Sequence, residues 1–147
     1  MWQHKTARLA SAAVLVAFSG AANAQAVALL LFGGQGHKTF LGCLNCGQYE
    51  NGSVCNRYGV HGSRYSPNSI WNKYGSFGSK YSDESPWSQY ASRPPAIVDR
   101  DGTFYGYLTA SRVNGQRTKI RALVALTDSA DEAVDDPEAA ADSFCGR

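Results

Sequence analysis

The sequence predicts a small α+β domain: an antiparallel sheet of two β-hairpins, a loop layer built from a 16-residue repeat, and a C-terminal helix. Three observations lead there. Residues 53–95 match themselves at a gap-free offset of 16, so that Ser53, Ser69 and Ser85 coincide, as do Tyr58, Tyr74 and Tyr90. A second match, Thr39-Phe40-Leu41-Gly42 against Thr103-Phe104-Tyr105-Gly106, lies at an offset of 64, four repeats on. Beyond residue 119 the apolar positions Ile120, Leu123, Val124 and Leu126 fall near helical spacing.

In chain order, the first segment has the layout of a secretion signal. His4, Lys5 and Arg8 precede an apolar run from Leu9 to Phe18, and Ala22-Asn23-Ala24 offers a small-residue cleavage site. Ser11, Ser19, Gly20 and Asn23 interrupt the run, which makes it a poor membrane span; about 20 continuous apolar residues would be needed. The expected organisation is therefore a signal peptide over 1–24, a repeat-containing globular domain over 25–127 and an acidic segment over 128–147. No transmembrane segment is expected after cleavage, and the location is periplasmic or secreted.

Each offset-64 segment is preceded by an apolar run and a turn. Val27 to Phe32 leads through Gly33-Gly34-Gln35-Gly36 into the first copy. Ala96-Ile97-Val98-Asp99 leads through Arg100-Asp101-Gly102 into the second, and Asp-Gly between β-type runs is a strong hairpin signal. Within the repeats, Ser66-Pro67 followed by Trp71, Tyr74 and Gly75 has the form of one or two helical turns, with serine as cap, proline at the first position and glycine at the exit. On such a turn Trp71 and Tyr74, and likewise Trp87 and Tyr90, would share a face. An amphipathic helix follows over 119–127, then an acidic, alanine-rich stretch with a second helix starting near Pro137.

Charge is unevenly spread. Residues 38–121 carry 11 basic and 5 acidic side chains, while from Asp128 onward there are 7 acidic residues and only Arg147 is basic. The acidic segment is expected to dock on its own basic domain. Lys5 and Arg8 belong to the signal, so the remaining chain has 12 basic and 12 acidic residues, and this balance argues against nucleic-acid binding.

The pattern Ser-x-x-Asn-x-Tyr-Gly-x-x-Gly-Ser-x-Tyr-Ser resembles a group of uncharacterised exported bacterial proteins with the same repeat, over roughly residues 39–118. Ser88 in place of Asn, Ala91 in place of Gly, and the cysteines depart from it. The resemblance implies export and a shared fold, and brings no activity with it.

Chemistry-bearing residues are few. Cys43, Cys46, Cys55 and Cys145 are an even set in an exported chain, which points to two disulfides, with Cys145 stapling the C-terminal segment to the region of Cys43 to Cys55. Cys43-Leu44-Asn45-Cys46 is a C-x-x-C, but it follows a predicted strand instead of opening a helix, and no second such pair completes a zinc site. His61 stands where the next repeat has Phe77, a packing position. No Gly-x-Ser-x-Gly elbow selects a nucleophile among the serines. Asp99 to Gly102 fits a turn better than a cation loop. Neither a metal nor a cofactor is expected. Trp71 and Trp87 are expected in the core. The candidate binding residues are Tyr65, Tyr81, Asn56, Asn72, Arg64 and Lys80, aromatic faces beside amide and cationic donors. The function expected is a non-enzymatic envelope or extracellular binding or structural module, its partner an envelope component, with a glycan as candidate ligand. The alternative is a thiol-disulfide redox or hydrolytic enzyme of the periplasm.

Overall fold

Serine and asparagine at every third position set the course of the repeat block. In a computed structural model describing residues 12–13 and 26–147, the chain from residue 53 to 91 is a run of tight turns. Apart from residues 12–13, the expected signal and its cleavage site lie outside the described residues. The amide of Asn56 donates to the carbonyl of Ser53 at 3.2 Å, that of Gly59 to Asn56 at 2.9 Å, and so on in steps of three. The first side chain of most turns accepts a second bond from the amide two residues on, as Ser69 does from Trp71 at 3.1 Å and Asn72 from Tyr74 at 3.2 Å. Side-chain acceptors of this kind compete with helical hydrogen bonding. They explain why the helical turns expected over 66–75 do not form. The aromatics therefore separate. Trp71 is 2% exposed and Tyr74 is 87% exposed, so the two do not share a face.

Five three-residue turns and one extra glycine make up each period of 16. The extra residue is Gly62 in the first repeat and Gly78 in the second. A Cβ on Gly62 would lie 1.9 Å from the carbonyl oxygen of Asn56, and one on Gly78 would lie 2.0 Å from that of Asn72. Backbone cannot yield to that extent. Gly62→Ala is therefore expected to cost about 3 kcal/mol, the upper end of the range for overpacking. Gly115→Ala, where a Cβ meets nothing within 4 Å, should stay within about 0.5 kcal/mol of wild type. Equal denaturation midpoints for the two variants would contradict the close approach.

Successive repeats lie on one another. The indole N–H of Trp71 donates to the carbonyl of Val54 at 2.8 Å, and that of Trp87 to Ile70 at 2.7 Å. The two indole rings are 5.7 Å apart. Ser53, Ser69 and Ser85 are fully buried beside them, each spending its hydroxyl on the amide two residues on, and Thr109 repeats the arrangement.

The sheet is antiparallel and four-stranded, in the order β2-β1-β3-β4, with β1 Leu30–Gly33, β2 Thr39–Cys43, β3 Ala96–Val98 and β4 Phe104–Tyr107. Leu31 pairs with Ile97 at the junction of the two hairpins, and both join Val54, Ile70, Trp71 and Trp87 in one apolar cluster. The offset of 64 has a structural counterpart. Gly42 and Gly106 both have left-handed φ, +119° and +95°, just before the strand ends. After each, the chain loops out and returns. Cys43 donates to Gly52 and accepts from Val54, as Tyr107 donates to Gln116 and accepts from Thr118.

Among the described residues three α-helices follow the sheet: α1 Arg121–Asp128, α2 Ala130–Asp135 and α3 Pro137–Cys145. Leu123 and Leu126 of α1 are buried, as the apolar spacing requires. Asp136 caps α3 through the amide of Ala139, with Pro137 at the first position and Gly146 closing it in the left-handed conformation. Disulfides join Cys43 to Cys46 and Cys55 to Cys145, the second tying α3 to the first repeat.

Candidate functional site

Tyrosine occupies the third position of two turns in each complete repeat, and there it faces solvent. Tyr58, Tyr74 and Tyr90 form one set at the repeat spacing; Tyr49, Tyr65 and Tyr81 form another. All six are 76–92% exposed. Their backbones are not loose. The amides of Tyr58, Tyr65, Tyr74, Tyr81 and Tyr90 each donate to the side chain two residues earlier, at 3.1–3.3 Å. A cation lies over three of the rings: Arg64 over Tyr65 at 5.0 Å, Lys73 over Tyr74 at 5.5 Å and Lys80 over Tyr81 at 5.4 Å.

The acidic segment docks on this block, as its charge implied. Asp142 accepts from Arg57 at 3.1 Å and from Arg147 at 2.6 Å, and Glu138 accepts from Arg64 at 3.0 Å. Arg147 also donates to the carbonyl of Cys55. At the start of the segment, Asp128 accepts from Arg117 at 2.7 Å. The hydrogen bond from Arg147 holds the Asp142 carboxyl below its ordinary 3.8, against burial, and the bond from Arg117 does the same for Asp128. Asp99, inside the second hairpin, is also lowered, chiefly by the Thr103 amide and further by the Tyr105 hydroxyl. Each of these carboxylates binds protons more weakly in the folded state than in the unfolded one. Their contribution to stability is present above about pH 4 and is lost as pH falls through the depressed folded values. Thermal melts are expected to fall below about pH 4, and Asp142→Asn should flatten that fall. An unchanged acid limb in the variant would refute the assignment.

A cleft of about 470 Å³ is lined by Tyr65, Tyr74, Arg64 and Lys73 of the repeats and by Asp135 and Asp136 of the α2–α3 junction. Trp71 and Asn72 also line it.

The residues singled out from the sequence divide between surface and framework. Tyr65, Tyr81, Arg64 and Lys80 stand on the exposed face. Asn56 and Asn72 are half-buried and turn their amide groups onto the backbone. Asn56 donates to Glu50 and accepts from Tyr58; Asn72 donates to Ser66 and accepts from Tyr74. Sequence reasoning missed Tyr49, which the offset of 16 applied backwards from Tyr65 would have found. It also left Tyr58, Tyr74 and Tyr90 off the candidate surface; the helical-turn reading sets Tyr74 and Tyr90 on the face of Trp71 and Trp87.

The four cysteines are paired as disulfides, and Cys43 of the C-x-x-C is buried at the end of a strand. His61 packs edge-on to Phe40 at 4.7 Å, the aromatic's task expected of it.

No protein-family model, curated protein or solved structure matches this chain.

Proposed function

We propose that the chain is an exported, non-enzymatic module that presents its repeat-built tyrosine face to an envelope or extracellular component. The single observation that carries this is the exposure of six tyrosines, repeated in register on a hydrogen-bonded backbone. Exposed apolar side chains gathered into a patch mark interaction sites. A rigid backbone also lowers the ordering cost of binding. Two disulfides and the resemblance to exported repeat proteins support an oxidising location. The redox alternative has less support, since a reactive thiol needs exposure and an electropositive setting, commonly a helix N-terminus, and Cys43 is buried after a strand.

The test is capture of bacterial envelope material by the mature protein, compared with a triple Tyr58→Ser, Tyr74→Ser, Tyr90→Ser variant. Capture should be lost while the melting temperature stays within a few degrees of wild type. Undiminished capture by the variant would refute the tyrosine face as the binding surface.

A further inference from the structure

The cleft at the α2–α3 junction differs from the rest of the tyrosine face in the balance of its polar groups. Arg64 and Lys73 of the repeats supply donors, and Asp135 and Asp136 of the α2–α3 junction supply acceptors. The carboxylate of Asp136 spends one bond on the Ala139 amide, and Arg64 shares its guanidinium with Glu138. Among the described residues, Lys73 and Asp135 form no salt bridge. Tyr65 and Tyr74 add two exposed aromatic rings, 76% and 87% accessible. The volume, about 470 Å³, falls within the roughly 300–1,000 Å³ of small-ligand sites.

Resting on the function proposed above, we infer that this cleft is a subsite for a neutral sugar unit of a linear glycan. A hydroxyl both donates and accepts, so a polyol is satisfied where cationic donors and carboxylate acceptors line one cleft. A pyranose also offers an apolar C–H face to a tyrosine ring. A polyanion would meet Asp135 and Asp136, and a polycation would meet Arg64 and Lys73; either pays like-charge repulsion that a neutral ligand avoids. Tyr81, equally exposed, lies outside the cleft and serves as an internal comparison.

The experiment is calorimetric or NMR titration of the mature, disulfide-bonded protein with cellohexaose and hexa-N-acetylchitohexaose, alongside an oligogalacturonate of the same length and a single-stranded oligodeoxynucleotide. At least one neutral hexasaccharide should bind with a Kd on the order of 1 mM or tighter. Tyr74→Ala and Tyr65→Ala should each weaken it about tenfold, as expected for loss of one stacked ring, and Asp135→Asn should weaken it severalfold. Tyr81→Ala should change it less than about twofold. Tighter binding of the oligogalacturonate or the oligonucleotide, no binding of either neutral probe, or an equal loss in Tyr81→Ala would overturn the subsite. Each of those results is compatible with intact capture of envelope material through the tyrosine face, so the two proposals fail separately. Melts of all four variants should match wild type, because the side chains changed are exposed.

Discussion

Replacing Trp71 by alanine is expected to destabilise the domain by about 3–5 kcal/mol, the range for large aromatic deletions in a core. The side chain is almost fully enclosed, its ring lies 5.7 Å from that of Trp87 and 6.3 Å from Phe144 of α3, and its N–H satisfies the carbonyl of Val54. Truncation therefore opens a cavity between repeats, leaves a buried carbonyl unpaired and loosens the seat of the last helix. Because domains of this size are stable by only about 5–15 kcal/mol, the variant could lose its fold at physiological temperature. Tyr74→Ala, three residues on, should leave the melt nearly unchanged. Denaturant midpoints for the pair decide the matter. A Trp71→Ala midpoint near wild type would move the tryptophan out of the core and onto the ligand-facing side.

Removing the Cys55–Cys145 bridge should cost about 4.5 kcal/mol on the chain-entropy account, since it closes a separation of 90 residues. Removing Cys43–Cys46, a separation of 3, should cost only about 2 kcal/mol on the same account. Paired Cys→Ala replacements, compared by denaturation, test the difference as well as the magnitude. The ion pairs of Arg57 and Arg64 with α3 are partly exposed and would not substitute for the bridge, because exposed pairs contribute little individually. Equal losses from the two bridges would rule out loop closure as the reason the longer one stabilises.

Much of the architecture was legible because its signals are local or periodic. The Asp-Gly turn, the apolar runs on either side and the offset of 64 locate both hairpins. Helical spacing locates α1, and Pro137 locates α3. The charge imbalance anticipates docking of the acidic segment, and the even cysteine count anticipates the bridge to Cys145. The interior of the repeat was not legible in the same way. Serine before proline with glycine at the exit suits a helical turn as well as it suits consecutive tight turns. What separates them is the recurrence of Ser, Asn or Gly at every third position, each able to start a turn. Missing the period of three puts Tyr74 beside Trp71 and Tyr90 beside Trp87, and so hides two of the six exposed tyrosines. The cleft was not legible at all, because Asp135 and Asp136 line it with Tyr65 and Tyr74 only once the C-terminal helices pack back on the repeats.

The pairing of Leu31 with Ile97 also has a kinetic side. The two central strands of the sheet lie at opposite ends of the repeat block, so neither can complete its hydrogen bonding until every intervening turn has emerged. The first hairpin, made early, must wait with its inner edge open. Contacts so distant along the chain slow folding, and a waiting strand edge invites pairing with another copy. The serine and asparagine turns do not share that wait, since each closes within three residues and needs no distant partner. The repeat block can thus coil turn by turn as it appears, carrying the far strand toward the near one.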